Sequence, residues 1–134
     1  RVVPVTEELT REVLAFAAYA SGGLVRLNLP GVGDSVVDKL SRAAERLGTS
    51  DKAADTADAL RTYLRILVST GPGHFLARML DKSLPALWCN VRRTPVPVVD
   101  IVDLSAAAAL SATLRARDAP RAATEFRRLC RLPI

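Results

Sequence analysis

The chain has 134 residues, 49% of them hydrophobic and 25% charged, with a formal net charge of +5. That size fits one domain, and the balance is globular rather than disordered. No apolar run approaches the roughly 18 residues of a membrane span, no signal peptide is visible in "RVVPVTEELTRE", and two cysteines are too few for a disulfide scaffold.

Aromatic residues make up only 4%, so the core must come from Leu, Val and Ala, an alphabet that favours closely packed helices. The chain reads as helical throughout. The first helix opens at Thr6 as N-cap, with Leu9, Val13, Phe16, Ala17 and Ala20 at helical spacing on the inward face. Gly22 and Gly23 are expected to weaken or interrupt it. "NLPGVGDS" is a loop, and Asp34 or Ser35 caps a second helix that Gly48 stops. A third helix starts near Ser50–Asp51 and carries Ala57, Leu60, Leu64, Leu67 and Val68 on one face. "GPG" at 71–73 ends it. A fourth runs from about His74 to Arg92 with Leu76, Leu80, Leu84 and Leu87 inward, and Pro85 predicts a kink or an early break. "RRTPVPVVD" is a loop. The β-branched "VPVVDIV" is short and unpaired and makes a poor strand. A fifth helix covers roughly 101–117, and Asp118 caps a sixth, with Pro120 tolerated in its first turn.

Little here carries catalytic chemistry. His74 is the single histidine, and although Ser69 and Asp81 lie near it in sequence, no nucleophile elbow frames a serine. One histidine is too few to support a metal site. Cys89 and Cys130 form no C-x-x-C pair and read as small buried hydrophobes in a reducing cytoplasm. Asp51, Asp55 and Asp58 read as a solvated acidic stripe. The C-terminal "LRARDAPRAATEFRRLCRL" is basic without aromatics placed for base stacking, so its arginines read as a solvated helix face pairing with acidic neighbours rather than a nucleic-acid surface. Polar groups able to orient a ligand between helices are Arg61, Tyr63, Arg65, Trp88 and Thr113, and each is read first as a surface or boundary residue.

Two stretches, "DALRTYLRILVSTGPGHFLARML" and "LSATLRARDAPRAATEFRRLC", resemble the effector-binding C-terminal (FCD) domain of FadR-type regulators in the GntR family. "FLARML" and "LRARDAPRAA" carry the likeness. The resemblance implies an all-α, antiparallel bundle of about six helices in one domain over residues 1–134. It implies a bacterial, cytoplasmic transcription regulator that dimerises through this domain and senses a small-molecule effector. DNA contact would belong to an N-terminal winged helix-turn-helix. Since the chain opens at Arg1 and its one methionine is Met79, it reads as the isolated effector domain. Many family members hold a divalent metal on one aspartate and three histidines. The corresponding positions here are Leu60, Leu64, Ala107 and Leu129, all apolar. The expectation is therefore no metal and no cofactor, and a partly apolar effector in a pocket around those four residues with Arg61 or Trp88 at its rim. A TetR-like effector domain and a plain helical interaction module are the alternative readings, and no enzyme activity is expected.

Overall fold

The computed structural model describes residues 6–49, 53–71, 74–93 and 102–132, with side chains at 53, 54 and 87–93 excepted. Among the described residues six α-helices follow one another: α1 (Glu7–Asn28), α2 (Asp34–Thr49), α3 (Ala53–Val68), α4 (His74–Arg93), α5 (Ala107–Arg115) and α6 (Ala119–Leu129). Short 3-10 turns at Leu29–Gly31 and Leu104–Ala106 precede α2 and α5. No strand occurs among the described residues. No helix among them is long and apolar enough to cross a membrane.

Local signals account for most boundaries. The Thr6 hydroxyl accepts the Leu9 N–H at 3.0 Å, and Glu7 and Glu8 complement the positive end of the α1 dipole. Asp118 does the same for α6, accepting the Arg121 N–H at 3.3 Å, with Pro120 in the first turn. Before α5, the Asp103 carboxylate accepts the Ser105 N–H at 3.1 Å, so the expected fifth helix begins instead as a 3-10 turn.

Helices α1 and α6, the first and last, pack together. α1 also packs on α4, α2 lies between α3 and α5, and α5 follows onto α6. The bundle alternates up and down. At one end, the Asn28 side-chain amide donates to the Thr70 carbonyl. At the other, Gly48 faces Ala107. Leucines from all six helices meet in one core, among them Leu14, Leu40, Leu64, Leu80, Leu110 and Leu129.

Three expectations need correction. Gly22 and Gly23 do not interrupt α1, which runs unbroken to Asn28. They lie at close helix contacts instead. A Cβ on Gly22 would stand 3.4 Å from Ala123 Cβ, and one on Gly23 would stand 2.9 Å from Leu76 Cδ1. Gly48 likewise sits inside α2, whose last residue is Thr49. Of the two outcomes expected at Pro85, the early break does not occur: Pro85 lies at an exposed position within α4, which continues to Arg93. The buried residues of α1 are Thr10, Leu14, Ala17, Ala18, Ala20, Ser21, Gly22, Leu24, Val25 and Asn28, so of the residues the spacing singled out Ala17 and Ala20 are in the core and Phe16 is outside it. "VPVVDIV" lies outside the described residues except for Val102, which is buried.

Gly71 has φ +74°, the left-handed region, and a Cβ there would lie 2.7 Å from Asn28 Cβ and closer still to the Asn28 carboxamide. Gly71→Ala is expected to lower unfolding free energy by about 2 kcal/mol or more, from backbone strain plus displacement of the Asn28 bond. Urea denaturation of the variant against the parent measures this. An unchanged midpoint would show that the turn relaxes freely.

Candidate functional site

The six positions singled out by sequence separate into three groups. Leu60, Leu64, Ala107 and Leu129 are buried and belong to the same core. Arg61 is exposed on the outer side of α3. Trp88 lies on α4, with its side chain outside the described set. Ala107 is packed rather than open on the side of α2. Its Cβ is the atom that a Cβ on Gly48 would meet at 3.1 Å.

Tyr63 occupies the most consequential position, and not a boundary one. It is fully buried, and its ring stacks on Phe126 with centroids 5.0 Å apart and an interplanar angle of 13°. The stack ties α3 to α6 across the middle of the bundle. The Tyr63 hydroxyl has no hydrogen-bond partner among the described residues. Buried hydroxyls without partners are rare because each forfeits its hydration for nothing. Burial, and next to it the nearby Cys130, push the phenol above its ordinary range. Cys130 is itself buried, and burial pushes its thiol up to about 12. The centre thus holds a phenol and a thiol, both neutral, surrounded by leucines. The signal for Tyr63 was present in the sequence. It stands three residues after Leu60 and four before Leu67, on the inward face.

Other polar groups are already engaged. The Thr113 hydroxyl donates within its own helix, at 3.0 Å from the Ala109 carbonyl and 2.9 Å from that of Leu110. Arg65 is exposed. Asp58 pairs with Arg46 at 3.0 Å on the surface. Of the six C-terminal arginines, Arg115 pairs with Asp38 at 3.4 Å and Glu45 at 3.0 Å. Arg117 reaches the Leu29 carbonyl at 2.9 Å, the Val32 carbonyl at 2.7 Å and Asp34 at 2.8 Å. Arg128 pairs with Glu125 at 3.6 Å. Hydrogen bonds from Arg115 and then Ser111 hold the Glu45 carboxyl below its usual range. Much of the basic character of this end is spent on intramolecular acceptors.

A separate open cleft of about 410 Å³ lies between the end of α3 and the start of α4, lined by Val68, Ser69, His74, Ala77, Arg78 and Asp81. It gathers the three residue types of a hydrolytic triad. The Ser69 hydroxyl, however, is directed to the helix, 2.9 Å from the Arg65 carbonyl and 3.1 Å from that of Ile66. A serine held this way is not aligned with His74 as a nucleophile. Among the described residues, no three His, Cys, Asp or Glu side chains gather as a metal-binding group.

Comparison with protein-family models, with curated proteins and with solved structures finds no match to this chain.

Removing the unpaired hydroxyl is expected to help the apo protein. Tyr63→Phe keeps the stack and should raise stability by about 1–3 kcal/mol, read by denaturant unfolding. A clear loss of stability would mean that the hydroxyl is satisfied. The same centre sets an alkaline limit. In the unfolded chain the thiol and phenol lose protons near 9 and 10, while the folded core retains them. The unfolded state then binds fewer protons, so stability is full below about pH 9 and falls as pH rises, by up to about 1.4 kcal/mol per unit for each group. Melting curves from pH 8 to about 11 should fall less steeply for Tyr63→Phe/Cys130→Ala than for the parent. Parallel curves would show that other groups carry the alkaline transition.

Proposed function

We propose that this chain is the ligand-sensing and dimerisation domain of a bacterial transcription regulator, of the kind that its sequence resemblance to the FCD domains of the GntR family implies. The observation that carries the ligand part is the Tyr63 hydroxyl. A buried donor without a partner among the described residues, in a core built mainly of leucine and alanine, is the kind of polar handle that orients a small molecule between helices. The effector that suits it is partly apolar and carries one hydrogen-bond acceptor, such as a carbonyl or ether oxygen. The apolar walls at Leu60, Leu64 and Leu129 offer nothing to a divalent cation, so the effector is bound without metal. Entry requires the helices to part around the Tyr63–Phe126 stack. An effector that binds one helix arrangement better than another would bias the spacing of attached DNA-binding heads. The engaged Ser69 hydroxyl favours binding over catalysis.

A thermal-shift panel of medium-chain esters, ketones and acids tests this. At about 100 times its Kd, a ligand adds about 2.7 kcal/mol of stability, enough for a shift of several degrees. At least one acceptor-bearing compound is expected to shift the parent and to shift Tyr63→Phe far less. No response across the panel, or an equal response of both proteins, counts against the reading.

A further inference from the structure

The outward face of α1 is unusually apolar for a surface helix. Phe16 is 42% exposed, Tyr19 55% and Leu27 54%. With Gly23 they recur along one stripe of the helix at positions 16, 19, 23 and 27. The stripe does not end at α1. α4 runs antiparallel beside it, with Leu76 seated against Gly23. Phe75, 74% exposed, lies next to that contact, and Met79, 44% exposed, lies one turn further along, about level with Tyr19. Contiguous apolar surface of this kind on two packed helices marks an interaction site rather than scattered surface hydrophobes.

The charges at its ends indicate what covers it. On the same stripe Glu8 and Glu12 stand before the aromatic pair, and Arg26 stands after it, all three exposed. None of them forms an ion pair among the described residues. The face is therefore acidic at one end, apolar in the middle and basic at the other. A 1.5 Å rise per residue puts Glu8 about 14 Å and Glu12 about 8 Å to one side of the Phe16–Tyr19 midpoint, with Arg26 about 13 Å to the other. Laid antiparallel on a second copy about that midpoint, Phe16 meets Tyr19, and Arg26 falls between Glu8 and Glu12 of the other chain. Laid parallel, like charges meet. This is the pattern of an isologous two-fold interface, in which one patch complements itself.

We propose that a second copy of this chain packs on this face, α1 against α1 in antiparallel register, with Phe75 and Met79 widening the contact. The proposal specifies the dimer surface within the reading given above and rests on the dimer part of that reading.

Sedimentation velocity over about 1–100 µM tests it, with circular dichroism confirming that each variant is folded. The parent is expected to be a dimer. Tyr19→Arg should weaken the dimer roughly a hundredfold and Arg26→Glu roughly tenfold, because one removes the central apolar contact and the other opposes three like charges. The swap Glu8→Arg/Glu12→Arg/Arg26→Glu should restore the affinity to within about threefold of the parent. A dimeric parent insensitive to Tyr19→Arg and Arg26→Glu overturns this face and leaves the dimer reading standing. A parent that stays monomeric throughout overturns both, and assigns the face to a different partner. Dimer loss in Arg26→Glu without rescue by the swap overturns the antiparallel register.

Discussion

The close approach of α1 to α6 is the constraint on which the rest of the bundle depends. Gly22 on α1 faces Ala123 on α6, and buried small residues stand near them in sequence, Ala17, Ala18 and Ser21 on one helix and Ala119 and Ala122 on the other. At Gly22 the backbones come so near that a Cβ would rest on Ala123 at van der Waals distance. Small side chains let helices approach toward the lower end of the usual 8–10 Å axial separation. Drawing the first and last helices together closes the bundle on itself. Tyr63 and Phe126, the largest fully buried side chains among the described residues, then stack between α3 and α6. Thus a chain with few aromatics spends two of them in one buried stack.

That division of labour explains what was readable in the sequence. Helix number and order follow from apolar spacing and from caps such as Thr6 and Asp118, which act within one turn of chain and need no tertiary partner. The roles of Gly22, Gly23 and Gly48 do not follow, because each depends on a residue far along the chain: Ala123, Leu76 or Ala107. Locally a glycine is a weak helix former, and only the neighbouring helix turns that weakness into a contact. Phe16 misled for a related reason. Its place in the apolar spacing suggested the core, whereas the side of α1 turned to α6 carries small residues such as Gly22. At the candidate site, the inward placing of Leu60 and Leu64 was legible from spacing, whereas Ala107 and Leu129 were singled out only through the family resemblance. The isolation of the Tyr63 hydroxyl was not legible, since an absent partner is a property of the assembled interior.

The arginines of the C-terminal third show the same dependence on assembly. Both α5 and α6 end in a left-handed residue, Arg117 at φ 55° and Arg131 at φ 59°. In each case the backbone closes a Schellman-type cap, through Asp118 N–H to the Thr113 carbonyl at 2.9 Å and Leu132 N–H to the Arg127 carbonyl at 2.9 Å. Glycine is the usual occupant of such positions, and an L side chain there costs about 1–2 kcal/mol. Arg117 offsets that cost with three hydrogen bonds to the corner between α1 and α2. The motif "RARDAP" therefore encodes a latch, a cap and a helix start in sequence.

That latch also has a mechanical consequence. Arg117 and the Asn28–Thr70 bond both sit at the end where α1 finishes, so any tilt of α1 would pivot there. α1 is a lever about 33 Å long from there to Thr6, at 1.5 Å per residue, so a tilt of about 5° would carry its free end about 3 Å. Small rearrangements around Tyr63, part-way along the lever, would be geometrically amplified at the end where the chain enters the fold.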